Sequence, residues 1–431
     1  MSPRFQAPKG TRDLLPPETA IWAAVEATAR RVFGRYGYGE IRTPIFEETE
    51  LFARGVGESS DIVGKEMYTF VDRGGRSVTL RPENTASVCR AYLEHGMQSL
   101  PKPVRLFYVG PQFRYERPQK GRYRQFHQIG AELVGGKGSE SDVEILLMLV
   151  AFLGELGFAD LRVLINTVGD AASRSAYKEK LRTYLLPLKE RLSEDSRRRL
   201  ETNPLRILDS KSAEEQEIVA AAPKLSDSLS ESSRAHFDGV LSSLNAFGLS
   251  FQVEPRLVRG LDYYTNTVFE IVSEGLGAQN AICGGGAYEG LIEELGGSPT
   301  YGVGFAIGED RLLEVLPAHS PARGAARAIR PVLVAWAGGQ LPEGAAPTSP
   351  TFDLAEELRR GGIAAVDAGG RTGKALYAYA DQLASPWLAF LGEAELAAGT
   401  VKLRDTATRE EHTLPRAEAI ARLRAAPAET R

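Results

Sequence analysis

The chain has 431 residues, 43% hydrophobic and 25% charged, with a formal net charge of -4, which is the composition of an ordinary globular protein long enough for two or three domains. Nothing in it approaches the roughly 18 consecutive apolar residues of a membrane span, and a mildly acidic chain has no whole-molecule field for non-specific nucleic-acid binding. Two cysteines, Cys89 and Cys283, cannot build a disulfide framework, and no ligand-spaced Cys or His accompanies them.

The first residues, MSPRFQAPKG, lack the apolar core of a signal peptide, so a cytoplasmic location without membrane attachment is expected. Residues 18–36 (ETAIWAAVEATARRVFGRY) carry apolar residues at helical spacing, and the extended, Pro-marked run YGEIRTPIFE follows. Residues 67–82, MYTFVDRGGRSVTLRP, read as two strands around a Gly-Gly turn. Residues 104–115 and 124–134 alternate, which predicts a hairpin with ERPQKGRY at its tip, and a Leu- and Val-rich helix over about 139–156 comes next. From about 168 to 247 the sequence becomes charged and helix-forming, a predicted helical insertion. Strand-like patterning returns at SFQVEPRLVRGLDYYTNTVFEIVS, and the Gly-dense CGGGAYEGLIEELGG and GVGFAIGEDRLLEVL close a first domain of residues 1–325. Residues 317–330, PAHSPARGAARAIR, have the composition of a linker. Over 331–425, PVLVAWA, GIAAVDA and PWLAFLG read as short buried strands between helical patterns, a small α/β domain.

The predicted hairpin concentrates charge. Residues 113–128, FRYERPQKGRYRQFHQ, hold the cations Arg114, Arg117, Lys120, Arg122 and Arg124 against one carboxylate, Glu116. Alternation puts Leu106, Tyr108, Gly110, Gln112, Arg114 and Glu116 on one face of the first arm, and Arg124, Phe126, Gln128, Gly130 and Glu132 together on the second. His127, Ile129, Ala131 and Leu133 fall on the other face, which makes His127 a packed residue. An Arg fork neutralises a phosphate bidentately and an aromatic stacks on a base, so an anion site is one reading. An exposed hairpin with solvated charges is the other, and periodicity does not choose between them. Ordinary phosphate motifs are missing. AGGRTGKA (368–375) has Ala368 where a P-loop begins with Gly and Ala375 where it ends with Ser or Thr, and GVGFAIG has its third Gly one residue late for a dinucleotide fingerprint.

Several segments together resemble the histidyl-tRNA synthetases, a family of class II aminoacyl-tRNA synthetases. GPQFRYERPQKGRYRQFHQIGAELVG resembles class II motif 2, LVRGLDYYTNTVFEI the first histidine signature, GGGAYEGL the second, and GVGFAIGEDRLL motif 3. Residues 18–36 with IRTPIFE and Pro44 resemble motif 1, the dimer-forming element. LRPENTA, PKGTRDLLP and the C-terminal GEAELAAGTVKLRD fit as well, so the likeness covers nearly the whole chain. The resemblance implies an α+β fold: an antiparallel active-site sheet flanked by helices, a helical insertion, and a C-terminal α/β anticodon-binding domain, assembled as a homodimer. It implies that L-histidine and ATP form histidyl-adenylate, with Mg2+ bridging phosphate oxygens and no residue assigned as its ligand, and that the histidyl group passes to the 3′ end of tRNA(His).

By the same resemblance Arg114 holds the α-phosphate and the carboxylate, Arg259 reaches them from the opposite side and Arg311 holds the far phosphates, while Glu116 and Phe126 read and stack the adenine. Glu132 and Tyr264 suit the two nitrogens of a neutral imidazole, which offers one donor and one acceptor. Glu83, Thr85 and Gln128 receive the α-ammonium, and Tyr263 and Tyr288 wall the pocket. Arg117, Lys120 and Arg122 face the tRNA acceptor end. Taken singly, Tyr263 and Tyr288 read equally as core aromatics, and Glu83 as a partner of Arg81.

The chain departs from the family pattern at three places: Ala287 and Glu289 stand where Arg and Asp are usual, Glu309-Asp310 where Leu-Glu is usual, and Asn84 where Gly is frequent. A histidine-binding regulatory paralogue of ATP phosphoribosyltransferase is the alternative reading. Such proteins have eroded catalytic arginines and no anticodon domain, whereas Arg114, Arg259, Arg311 and a domain after residue 330 are all present here. Charge does not announce an RNA partner, because residues 331–431 hold 11 Lys/Arg against 13 Asp/Glu.

Overall fold

In the computed structural model, which describes residues 5–57, 62–119, 121–159, 161–208, 210, 212–273, 281–325, 330–338 and 349–426, the alternating sequence at 104–134 forms the expected hairpin within a large sheet. The strands in chain order are β1 (Gly39–Glu40), β2 (Phe46–Glu48), β3 (Tyr68–Val71), β4 (Ser77–Leu80), β5 (Val104–Phe113), β6 (Gln125–Val134), β7 (Arg162–Thr167), β8 (Gln252–Val253), β9 (Thr265–Val272), β10 (Ala281–Tyr288) and β11 (Gly302–Gly308). Eight of them make one sheet in the order β1-β5-β6-β11-β10-β9-β7-β8, and β2-β4-β3 make a small separate one. The large sheet is antiparallel except at its edges, where β1 runs parallel to β5 and β8 to β7.

Period-two alternation gives this sheet two unlike faces. Phe107, Ile129, Ala131, Leu133, Val303, Ile307, Phe269 and Ile271 point into one core. Three helices cover that face: Glu18–Arg35 through Val25, Ala29, Val32 and Phe33, then Gly138–Glu155, then Glu231–Ala246 through Phe237, Val240 and Leu244. Gly138–Glu155 is apolar nearly all round because it lies buried between other elements.

On the opposite face the register lines up small residues. One row across the sheet reads Leu106, Glu132, Gly304, Gly286, Val268, and the next reads Tyr108, Gly130, Ala306, Gly284, Glu270. Each Gly in these rows marks a close approach by a neighbouring side chain. A Cβ on Gly304 would fall on the Glu132 carboxylate, one on Gly284 on the Arg259 guanidinium, and one on Gly130 on the Tyr108 ring. The site described below sits on this hollow floor.

The charged stretch 168–247 forms the expected helices, among them Ala171–Leu185, Glu194–Thr202, Ala213–Ala220 and Glu231–Ala246, with Asp170, Ser193 and Ser230 accepting from backbone N–H groups in their first turns. It is not a detached appendage: Tyr177, Leu181 and Leu185 share a core with Tyr263, Tyr264 and Tyr288. The strand-like reading of 250–273 needs correction, since only 252–253 and 265–272 pair as strands. Residues 254–264 form a loop that Arg174 holds by donating to the carbonyls of Asp262 (3.0 Å) and Tyr264 (2.6 Å). The stretch with linker composition starts as packed chain, with a short helix Pro321–Ala325 whose Ala322 enters the main core.

One compact unit takes in Met1–Leu15 and Ile21–Arg323, and a second takes in Pro16–Ala20 and Gly324–Arg431. The second is built on β12 (Val332–Trp336), β13 (Ala365–Asp367), β14 (Trp387–Leu391), β15 (Thr400–Asp405) and β16 (Glu411–Pro415) in the order β13-β12-β14-β15-β16. The first three strands are parallel, as buried apolar strands alternating with helices demand, and the last two are antiparallel. Apolar clusters occupy both faces of this sheet. The segment at 368–375 is a turn into the helix Gly373–Gln382, with Gly369, Gly370 and Gly373 at positive φ. Among the described residues no helix is long and apolar enough to cross a membrane.

Candidate active site

Two adjoining pockets open on the Gly-lined face of the large sheet. The inner one, about 120 Å³, is lined by Glu83, Thr85, Gln128, Glu132, Tyr263, Tyr264 and Tyr288. The outer one, about 250 Å³, is lined by Glu116, Arg122, Phe126 and Arg311. Arg114, Gln128, Arg259, Gly284 and Ala306 line both and so stand at the junction. Every residue singled out above for histidine or ATP thus lies at one pocket or the other. Of the three basic residues expected to face tRNA, Arg122 lines the outer pocket, Arg117 is exposed on the hairpin tip outside both, and Lys120 lies outside the described residues.

The inner pocket is a network of buried acceptors. Glu132 is 1% exposed; its two oxygens accept from Thr85 Oγ1 (2.7 Å) and Tyr288 OH (2.9 Å). Burial raises its carboxyl to about 8, with Glu83 adding to the rise and the two hydroxyl donors opposing it. Glu83 does not pair with Arg81, which donates instead to Pro111 O (2.9 Å) and to Thr43 O (3.0 Å). Glu83 accepts from the backbone N–H groups of Thr85 (2.7 Å) and Ala86 (3.0 Å), satisfying two orphan donors of the helix Thr85–Glu94. Burial raises its carboxyl too. Gln128 Oε1 is buried with no hydrogen-bond partner among the described residues. Tyr263 and Tyr288 are both pocket walls and core residues: they pack edge to face at 5.9 Å and belong to the second apolar cluster.

The cations of the outer pocket are held by specific partners. Arg114 donates from Nε to Pro82 O (2.8 Å), and its guanidinium lies 5.3 Å from the Phe126 ring centroid. Arg122 pairs with Glu116 at 2.9 Å. Arg259 projects from the 254–264 loop onto the flat backbone of Gly284 and pairs with Glu270, which sits beside Gly284 in the same row of the sheet. Burial alone would lower the Arg259 guanidinium, but Glu270 and nearby tyrosines outweigh it and leave it raised. Arg311 is lowered, by burial first and then by the cationic neighbour Arg122. Confined cations that repel one another are suited to receive an anion.

Three participants were not legible beforehand. Glu270 falls outside the quoted hairpin, and only strand register reveals it as the partner of Arg259. Tyr108 was on the correct face by alternation but was given no role, and it lines the inner pocket. Asp310, read only as a departure from a motif, lines the outer pocket, accepts from the backbone N–H of His127 (3.0 Å) and pairs with Arg12 (3.2 Å). His127 itself packs edge to face on Trp22 at 5.1 Å, away from both pockets, as expected of it.

The other departures have local consequences. Ala287 is fully buried on the apolar face, paired with Val303. Glu289 accepts from Asn266 Nδ2 (3.2 Å). Glu309 is fully buried, and neither carboxyl oxygen has a hydrogen-bond partner among the described residues. Burial, then Glu26 and Asp310, pushes it well above the carboxylate range. A raised folded-state pKa contributes stability that is complete below the unfolded value and lost as pH climbs. Glu309→Leu should therefore stabilise the protein by about 1–3 kcal/mol, with the gain over wild type widening between about pH 5 and about pH 8. Thermal melts at both pH values check this; a lower melting temperature at each would show that the carboxyl is satisfied after all.

A family model described as histidyl-tRNA synthetase matches residues 10–312, and one described as an anticodon binding domain matches residues 348–426. The histidine--tRNA ligase of Synechococcus sp. (strain JA-3-3Ab) is 46% identical over 417 residues, 96% of this chain and 98% of that protein. That of Desulfitobacterium hafniense (strain Y51) is 48% identical over 413 residues, 95% of this chain and 96% of its own. Among solved structures, apo histidyl-tRNA synthetase from S. aureus has a TM-score of 0.78 at 34% identity and covers 97% of this chain and 99% of that one. A Bacillus halodurans C chain described as an ATP phosphoribosyltransferase regulatory subunit/histidyl-tRNA synthetase shares the fold, with a TM-score of 0.63 at 23% identity over 91% of this chain and 98% of that chain.

Proposed function

The chain belongs to the histidyl-tRNA synthetase family, and from that premise we propose that its two adjoining pockets are one active site, with histidine in the inner pocket and ATP in the outer. The activity is the ligation of histidine to tRNA in two steps, adenylate formation and transfer to the tRNA 3′ end. The observation that carries the site assignment is the shared wall: Arg114, Gln128 and Arg259 border both pockets, where a histidine carboxylate and an α-phosphate would have to meet.

Both reactants are anions at that junction. The carboxylate is already ionised and needs no base, so the chain's task is to bring it up to phosphorus against charge repulsion. Arg114, fixed by Pro82 O and the Phe126 ring, and Arg259, fixed by Glu270, supply positive charge that needs no reorganisation as the transition state forms. Arg311 takes the departing pyrophosphate end, and Phe126 and Glu116 take the adenine. In the inner pocket Glu132 accepts the imidazole N–H, Tyr264 meets the other nitrogen, and Glu83, Thr85 and Gln128 receive the ammonium. The unpartnered Gln128 Oε1 supports that last role.

Among the described residues no three His, Cys, Asp or Glu side chains form a metal cage. Mg2+ needs only one or two carboxylates when phosphates supply the other oxygens. Glu116, Glu270 and Asp310 are the carboxylates that line the outer pocket. Glu270, which takes no part in reading the adenine, would hold the ion, and the ion would neutralise phosphate charge.

Residues 1–325 are proposed as the catalytic domain and 331–425 as the anticodon reader for tRNA(His), with Arg117, Lys120 and Arg122 of the hairpin tip directed to the acceptor end. A homodimer in the cytoplasm is proposed as the working form. Ile45, Phe46, Phe70 and Val71, exposed by 45%, 55%, 47% and 69%, leave an apolar surface at β2, β3 and the segment before β2 that a second copy would cover. The regulatory-paralogue reading is not favoured, because Arg114, Arg259 and Arg311 all border the outer pocket.

Histidine-dependent exchange of pyrophosphate into ATP, followed by charging of tRNA(His), tests the function; a folded preparation with neither activity overturns it. A chain ending at Ala325 tests the division of labour. It should retain exchange while losing most charging at limiting tRNA, because a distant binding contact has gone. Sedimentation should show both forms as dimers. A dimeric truncation that charges as well as the full chain would remove the anticodon role from 331–425.

A further inference from the structure

We propose that Arg12 is a positioning residue for the nucleotide end of the active site, with the N-terminal segment around it acting as a strap that joins the hairpin tip to the start of the helix Glu309–Glu314. The inference rests on the reading that the outer pocket takes ATP.

A connected set of contacts carries it. Arg12 Nη2 donates to Asp310 Oδ1 at 3.2 Å, and Asp310 Oδ2 accepts from His127 N at 3.0 Å. The β6–β11 ladder ends at Gln128 paired with Gly308, so His127 N has run past its strand partner and the Asp310 carboxylate supplies the missing acceptor. The Arg12 guanidinium also lies 4.8 Å from the Tyr123 ring centroid and 5.9 Å from that of Trp22, which packs on the His127 ring. Two residues earlier, Gly10 O accepts from Arg124 N at 2.7 Å, and Arg124 O accepts in turn from Arg114 N at 2.9 Å. Gly10 is at φ +88, and a Cβ there would stand 2.7 Å from Arg124 Cγ, so the strap crosses the hairpin at a point only glycine fits.

The strap therefore touches the pocket wall on both sides of Phe126. Tyr123 and Asp310 line the outer pocket with Phe126 and Arg311, while Glu132, Thr85 and Tyr288 of the inner pocket have no part in these contacts. Asp310 is 6% exposed, and a nearly buried carboxylate that loses a cation is left to seek another. Loss of Arg12 should thus loosen the nucleotide wall and leave histidine recognition intact. A purely structural strap would weaken both pockets together with the fold.

The test uses the full chain with Arg12→Ala, Arg12→Lys, Asp310→Asn and the double variant Arg12→Ala/Asp310→Asn. Measured by pyrophosphate exchange, Arg12→Ala should raise KM for ATP about tenfold, as expected for one lost charge-assisted contact. Histidine affinity, measured by calorimetry without ATP, should change less than about twofold, because distant sites respond independently. Arg12→Lys keeps the ion pair without the fork and the stack, so its KM for ATP should fall between wild type and Arg12→Ala. The double variant should be no worse than the stronger single one, because both break the same link. An unchanged KM for ATP in Arg12→Ala, parallel losses of ATP and histidine binding, or simple addition in the double variant would each overturn the proposal. If Arg12→Ala fails to fold, Arg12→Lys decides: a wild-type KM for ATP overturns the proposal and a raised one with normal histidine binding supports it. Absence of exchange in the wild type would instead sink the underlying ATP-site reading.

Discussion

Arg259→Ala should lower adenylate formation by about 10²–10³, the usual loss when a preorganised donor to a developing charge is removed. Arg259 stands at the junction of the two pockets, its guanidinium laid on Gly284 and held by Glu270. The effect should fall on kcat for exchange more than on either KM, because the interaction strengthens only as two anions are forced together. Truncation leaves Glu270 without its cation, and at its 22% exposure water reaches it, so the fold should survive with a modest fall in melting temperature. Exchange assays beside thermal melts separate the two effects. Near-normal exchange in a folded variant would take Arg259 out of the mechanism.

How much of this site was legible beforehand depended on whether one strand or several were needed. Arg114, Phe126, Gln128 and Glu132 share a face because period-two alternation within a hairpin fixes faces without knowledge of anything else. Glu270 is different. It faces the pocket because β9 pairs with β10 and β10 with β11 in a particular register, and that register shifts at Ala281/Cys283 and again at Gly286/Ala287. No local pattern encodes two bulges. The 254–264 loop was misread as strand for a related reason. Its alternating apolar residues are real, but Arg174 and Asn203 of the helical insertion fix its backbone and the Asp262 side chain from far along the chain, at 3.0 Å and 2.9 Å. Tertiary anchors override the local signal there. The Gly-dense runs allow close packing, but which side chain each glycine admits (Glu132 over Gly304, Arg259 over Gly284) belongs to the sheet rather than to the sequence.

Burial holds the Glu132 carboxyl up at about 8 in the ligand-free pocket, and an imidazole N–H donated to it favours the ionised, accepting form. Glu132→Gln should therefore raise KM for histidine about tenfold or more, the worth of a hydrogen bond to a charged group, and leave KM for ATP nearly constant. Two of the roughly four acceptor positions of the Glu132 carboxylate are taken by Thr85 Oγ1 and Tyr288 OH, leaving room for an imidazole N–H. Glutamine keeps the shape and replaces half of those acceptors with an NH2 group, which meets the imidazole donor with another donor. The discrimination comes from the mismatch: a site built around buried polar groups rejects whatever leaves them unpaired. The same carboxyl gives an internal check on folding. With its pKa raised to about 8, Glu132 contributes stability that is complete below its unfolded value and declines as pH rises toward about 8. Glutamine cannot titrate, so the variant's melting temperature should depend less on pH over that interval than the wild type's. A variant that melts in this flattened way and binds ATP normally but histidine poorly has lost one hydrogen bond and nothing else. Equal rises in KM for both substrates, or an unmoved KM for histidine, would place the imidazole acceptor elsewhere in the pocket.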